Sequence, residues 1–242
     1  MKRSNKANRQ IKRNIKGLLD PQKPESNYAP ADAAFHILAA FMAVLLPLSL
    51  VAIAANIVFR VPDLIALEVD RSGVLEELGI ESSPDSVADE ITGFINHKED
   101  EAAIQAFTKN DETNLEKIRA LLDKSLYPSM VFFALSIVLF VLVRAMGRRR
   151  YLRVALNTSA VLYICAVCFT IALALLTPFR EAVFAWQPGI EFAEGDALPY
   201  LLGGLYPILS AGAICLISFI IYIGLYTFLK RFTVEEEKMF KQ

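Results

Sequence analysis

Charge is missing where a soluble core of this size would scatter it. Four long apolar stretches, at about residues 33–58, 126–143, 154–176 and 201–229, contain no Asp, Glu, Lys or Arg between their ends. Proton relays and ion pumps depend on ionisable groups at membrane depth, so active ion transport is not expected. Cysteine is scarce as well. Cys165, Cys168 and Cys215 all lie inside apolar runs, where they are expected to pack as small hydrophobes rather than form a disulfide framework. Cys165 and Cys168 have CxxC spacing, but at helical pitch and membrane depth this does not point to redox or zinc chemistry. There is no phosphate-cradling glycine loop, metal-ligand cluster or serine-hydrolase elbow. No cofactor, metal or nucleic-acid site is therefore expected. Histidine is limited to His36 and His97. His36 sits near the start of the first apolar run, where an interfacial packing role is expected. His97 follows an apolar helix face in a polar segment, with nothing nearby in sequence to orient it, and reads as a solvated loop position.

Uncharged runs of eighteen or more residues are what a bilayer requires. The chain has 242 residues, 55% of them hydrophobic, and a formal net charge of -1. That near-zero sum hides segregation. Residues 1–32 carry Lys2, Arg3, Lys6, Arg9, Lys12, Arg13, Lys16 and Lys23 against three acids, as expected of a cytoplasmic tail. Ile11, Ile15, Leu18 and Leu19 recur there at helical spacing; the tail reads either as a helix on an anionic bilayer surface or as a disordered orienting arm. Residues 33–58 read as an uncleaved signal anchor, bent at Pro47. Arg144, Arg148, Arg149, Arg150 and Arg153 follow the second run without an intervening acid and fix segment 144–153 in the cytoplasm. With 230–242 as a second inner tail, both termini are expected inside, and segments 59–125 and 177–200 outside. The expected class is all-α: a polytopic protein of the plasma membrane with four transmembrane helices and a helical extracytoplasmic insert between the first two.

That insert is the distinctive stretch. Val61 to Ser125 carries sixteen acidic and six basic side chains, too hydrophilic to span and too long for a turn. Most of its carboxylates read as a solvated face. Leu64, Leu67, Val74, Leu75 and Leu78 share a helical face that Ser72-Gly73 can interrupt. Ser83-Pro84-Asp85 reads as an N-cap, a proline at the first helical position and a dipole-compensating acid. Val87, Ile91, Phe94 and Ile95 then form an amphipathic face. Thr108 or Asn110 can cap a helix from about Asp111, with Leu115, Ile118, Leu121 and Leu122 on one side, leading into the second span with Pro128 at the junction. About 65 residues are few for an independent core, so these helices are expected to pack on each other and on the membrane surface. In the last span, Gly203-Gly204 and Ala211-Gly212-Ala213 allow close helix approach.

Two short stretches carry a resemblance. The first runs Phe107-Thr-Lys-Asn-Asp-Glu112-Thr-Asn114-Leu115-Glu116-Lys117-Ile118-Arg119. The second runs Phe179-Arg180-Glu181-Ala182-Val183-Phe184, followed by Trp186. With the four-span architecture, they resemble the four-span bacterial integral membrane family that includes the lipoprotein intramolecular transacylase (Lit-like). The resemblance implies two outer histidines that help move an acyl chain onto a lipoprotein's own N-terminal amine. Those positions read Asn114 and Arg180 here. Asn takes no proton and Arg releases none near neutrality, so the usual histidine chemistry is not expected. Glu112, Asn114, Arg180 and Trp186 are the candidate lipid-binding or degenerate-site residues. A lipid or lipoprotein bound at the outer leaflet is the first reading. A divergent lipoprotein acyltransferase using another base such as His97, and an accessory subunit binding a membrane-protein partner, are the alternatives.

Overall fold

The computed structural model describes residues 30–99, 104, 107–146, 149–176, 192–193 and 195–233. The chain divides at Ile37/Leu38. Of the first unit, residues 30–37 are described, the opening turns of a helix, and the remaining described residues belong to the second. Among the described residues all regular structure is helical: α1 Pro30–Val58, α2 Asp63–Ser72, α3 Val74–Leu78, α4 Pro84–Ile95, α5 Lys109–Ala145, α6 Arg149–Leu175, α7 Leu198–Leu201 and α8 Tyr206–Arg231. Four of them, α1, α5, α6 and α8, are long and apolar enough to cross a membrane. The protein is a polytopic helical membrane protein with a helical insert between its first and second spans.

The insert helices begin and end where side-chain chemistry allows. Ser83 accepts the Ser86 N–H with Pro84 next in sequence, and Thr108 and Asp111 form a reciprocal capping box at the start of α5. Gly73, in the left-handed region at φ 65°, separates α2 from α3. α5 then runs on unbroken for 37 residues with Pro128 inside it, so one rod carries both the last insert helix and the second span. The fourth spanning helix begins at Tyr206, because Gly203 and Gly204 turn the chain between α7 and α8.

A short insert cannot enclose a core alone, and this one recruits chain from elsewhere. Ile65, Val69, Val87, Ile91, Phe94 and Leu115 share a buried cluster with Ala197, Leu198, Leu201 and Tyr206. α2 accordingly packs on α4, α7 and α8, and α4 on α5. Leu67 and Leu121 are exposed, although periodicity places them with the apolar faces.

In the bundle, association depends on close packing and interhelical hydrogen bonds rather than on burial from water. Ala54 and Val58 of α1 meet Ile214 of α8. α6 and α8 are joined by a polar ladder. Tyr163 stacks on Tyr222 with ring centroids 4.3 Å apart, the Tyr163 hydroxyl lies 3.0 Å from Ser218 Oγ, and the Tyr222 hydroxyl donates to Ser159 Oγ at 3.2 Å. At the arginine-rich end, Arg153 donates to the Thr233 carbonyl at 3.2 Å. The three cysteines are free, with Cys165 and Cys168 exposed on the bundle.

Candidate functional site: an apolar cavity beneath a latched insert

Between α1, α6 and α8 lies a cavity of about 770 Å³. It runs along α1 from Val44 to Phe59 just past its end, from Leu162 to Ala174 along α6 and from Pro207 to Ile214 along α8. Its length along α1 is about 22 Å at 1.5 Å per residue, more than half of the roughly 30 Å hydrocarbon thickness of a bilayer. The wall is almost wholly apolar. Of its polar side chains, Thr170 already donates to the Ala166 carbonyl at 2.9 Å. Such a space solvates a hydrocarbon chain and nothing charged.

The insert is fastened over this end of the bundle by buried carboxylates. Asp111, fully buried, accepts the Thr108 N–H at 3.0 Å, the Ala197 N–H at 2.9 Å and the Leu198 N–H at 3.0 Å. One side chain thus closes the capping box of α5 and supplies the cap that Ala197 cannot give to α7. Asp196 answers from the other side. It accepts from Thr108 Oγ1 at 2.7 Å, Asn110 Nδ2 at 2.6 Å and the Ala193 N–H at 2.6 Å. The Ala193 N–H and then the Thr108 hydroxyl hold the Asp196 carboxyl below the ordinary carboxylate range. Glu68, also buried, accepts the Leu205 N–H at 2.9 Å at the start of α8, whose N-cap position has no side-chain cap of its own. Asp111 and Glu68 therefore depart from the expectation of a solvated acidic face on the insert, and Asp196 joins them from the 177–200 segment: each meets backbone donors that would otherwise be orphaned in an apolar core.

A third group joins the end of α1 to the insert. Arg60 donates to Asp123 Oδ1 at 2.6 Å and to the Ile95 carbonyl at 3.2 Å, and Asn96 Nδ2 returns to the Arg60 carbonyl at 3.0 Å. His97 Nε2 lies 2.8 Å from Asp123 Oδ2. His97 is exposed, as expected of a loop position, but it is oriented, and by a group 26 residues further along the chain. Its backbone is left-handed, φ 57°. Its N–H bonds the Phe94 carbonyl and that of Lys98 bonds Gly93, a Schellman ending in which glycine is the usual occupant of the His97 position. A side chain at this position carries backbone strain that glycine would not.

Partial burial raises the Asp123 pKa, but the hydrogen bonds and charges of Arg60 and His97 outweigh it and leave the carboxyl below its ordinary value. A carboxyl depressed on folding stabilises fully above its unfolded value of about 3.9 and loses that contribution as the pH falls through the lower folded value. The thermal-stability advantage of the wild type over Asp123→Asn is expected to be undiminished from pH 7 to about pH 4 and to vanish below. An advantage already lost at pH 5.5 would show that the carboxylate is not the anchor.

Of the residues singled out from the sequence, Glu112 and Asn114 both lie in the first two turns of α5, Glu112 exposed and Asn114 fully buried. Arg180 and Trp186 lie outside the described residues. Of the two cap candidates in the sequence, Thr108 is the N-cap and Asn110 lies inside the helix, which starts at Lys109 rather than near Asp111. Nothing local marked Glu68 or Asp123, whose partners are remote in sequence, and of the partners of Asp196 the side chains of Thr108 and Asn110 are remote as well.

These features define a class: a multi-pass helical membrane protein whose insert is latched over an apolar intramembrane cavity. The chain is similar in fold to the membrane-integral lipoprotein intramolecular transacylase Lit from Bacillus cereus. A structure of that protein with one histidine replaced by arginine matches with a TM-score of 0.61 at 14% identity, covering 83% of this chain and 92% of the other. One with histidine replaced by alanine matches with a TM-score of 0.60 at 15% identity, covering 83% and 94%. A third structure of the same protein gives 0.60 at 13%, covering 83% and 96%. No family model and no curated protein matches the chain.

Proposed function

We propose that this protein is a plasma-membrane, Lit-like protein that holds the acyl chain of a lipid or lipoprotein in the cavity between α1, α6 and α8, without the histidine chemistry of the transacylase. Both termini lie in the cytoplasm and the insert outside, in keeping with the arginines that follow the second span. The observation that carries the reading is the cavity. Its roughly 770 Å³ falls within the range of small-molecule sites, its walls are hydrocarbon, and it runs lengthwise along a span. The fold shared with a protein that acts on lipoproteins supports the ligand class. Asn114 and Arg180 stand where the resemblance places histidines, which supports binding rather than proton transfer. Purification in mild detergent followed by mass spectrometry tests the reading: about one diacyl lipid or acylated peptide per chain is expected, and a chain stripped of both would overturn it. Reporters fused near Asp100 and near Arg149 are expected on opposite sides of the membrane.

One observation favours a second reading, a divergent lipoprotein acyltransferase. His97 is oriented by Asp123 and held in a strained backbone conformation, and strain of this kind gathers at functional positions. His97→Gly separates the roles. It relieves the left-handed strain while losing an exposed ion pair, so stability is expected to stay within about 1 kcal/mol of wild type. If His97 is a base, acyl migration measured by lipoprotein mass disappears in the same variant. Unchanged migration removes the second reading.

A further inference from the structure

At the arginine-rich end of the bundle, residues of α6 and α8 form a closed circuit of contacts. Arg153, near the start of α6, donates through Nη2 to the Thr233 carbonyl at 3.2 Å. Thr233 donates to the Lys230 carbonyl twice, from its N–H at 3.0 Å and from its hydroxyl at 2.8 Å. The Lys230 ammonium stands 5.4 Å from the centre of the Tyr226 ring, and the Tyr226 hydroxyl donates to Asn157 Oδ1 at 3.3 Å. Asn157 lies four residues after Arg153 on one face of α6, which brings the circuit back to its start. Arg153, Asn157 and Lys230 are exposed and Tyr226 is half-buried. The circuit therefore opens outward from the seam between two spans.

Its donors outnumber its acceptors. Thr233 engages one of the five N–H groups of Arg153, the ring face is the contact of the Lys230 ammonium, and Asn157 bonds through its oxygen, leaving its amide N–H groups over. Among the described residues the ion pairs are those of Asp123 with Arg60 and His97, all at the insert end, so no described acid neutralises Arg153 or Lys230. The two levels of the seam also differ. Asn157 and Tyr226 each lie four residues, about 6 Å, further into their spans than Arg153 and Lys230. An amide with free N–H groups on a hydrocarbon-facing surface is costly unless an acceptor meets it there. A phospholipid supplies both levels at once, an anionic phosphate for the two cations and, nearer the hydrocarbon, ester oxygens for the amide. A free anion supplies the first alone. We propose that the seam between α6 and α8 seats the headgroup of an anionic phospholipid, its phosphate between Arg153 and Lys230 and its glycerol ester at Asn157.

The test compares phosphatidylglycerol with phosphatidylcholine of the same acyl chains, retained by the full chain in mild detergent and read by native mass spectrometry. Two surface cations are expected to give the wild type about a tenfold preference for phosphatidylglycerol. Arg153→Gln with Lys230→Gln is expected to erase it. Lys230→Gln alone, which removes no hydrogen bond of the side chain, is expected to lower the preference about threefold and carries the test should the double variant fail to fold. Arg150→Gln with Arg231→Gln removes two exposed cations of the same end that take no part in the circuit, and is expected to leave the preference in place. The seam lies apart from the cavity, whose walls on α6 and α8 start at Leu162 and end at Ile214, so Ala52→Phe with Ala166→Phe is also expected to leave it in place. No preference in the wild type would overturn the seat. So would equal losses from the two charge-removing pairs, which would make the effect that of a diffuse basic belt, and so would displacement of the lipid by an excess of inorganic phosphate.

Discussion

Asp111→Ala is expected to cost roughly 3 to 5 kcal/mol and to lower the apparent thermal midpoint in detergent by about 10 °C. The change leaves three backbone N–H groups, those of Thr108, Ala197 and Leu198, without their acceptor, the latter two buried and the first partly so. An orphaned buried donor costs about 1 to 3 kcal/mol. One half of the capping box at Thr108 and the start of α7 are lost together, because one carboxylate serves both, while Thr108 Oγ1 still accepts the N–H of residue 111. Asp111→Asn keeps one acceptor oxygen and turns an NH₂ group toward a donor, so about half the effect is expected. The same variants should expose the 195–202 stretch to protease before the spans unfold. A midpoint unmoved by Asp111→Ala would show that the latch contributes nothing.

The second large effect concerns binding rather than stability. Ala52→Phe together with Ala166→Phe is expected to reduce the retained lipid or acylated peptide at least tenfold, about 1.4 kcal/mol in affinity, by filling the space the chain would occupy. Both alanines line the cavity, and neither is fully buried, so the rings can enter without overpacking a closed core. Val138→Phe on α5, at a site 59% exposed and away from the cavity, supplies the control: a bundle-surface position that leaves retention unchanged. Equal retention by all three chains would sink the acyl-chain site.

These effects differ in how far the sequence foretells them. The capping box at Thr108–Asp111 and the Ser83-Pro84 start are written in adjacent residues, and both form as the local chemistry dictates. The apolar faces are also local, but burial follows the neighbours: Leu115 is fully buried while Leu121, on the same helix, stays exposed. His97 shows where reading along the chain stops. Its surroundings in sequence hold nothing to orient an imidazole, yet α5 brings Asp123 to 2.8 Å. Asn114 and Glu112, singled out together by resemblance, lie two residues apart but one is buried and one exposed.

The sequence by itself determined the number of spans, their class and the capped starts of α4 and α5. Those depend on transfer of an uninterrupted apolar run into hydrocarbon, and on caps satisfied within three or four residues. Which of sixteen insert carboxylates are buried, and that a cavity lies between α1, α6 and α8, was decided by the tertiary structure alone. A carboxylate stays in a core only when donors meet it there, and the Leu205 donor to Glu68 and the Ala197 and Leu198 donors to Asp111 come from 137 and 86 to 87 residues away. A cavity is likewise a property of how three helices fail to close on one another, which no single helix contains.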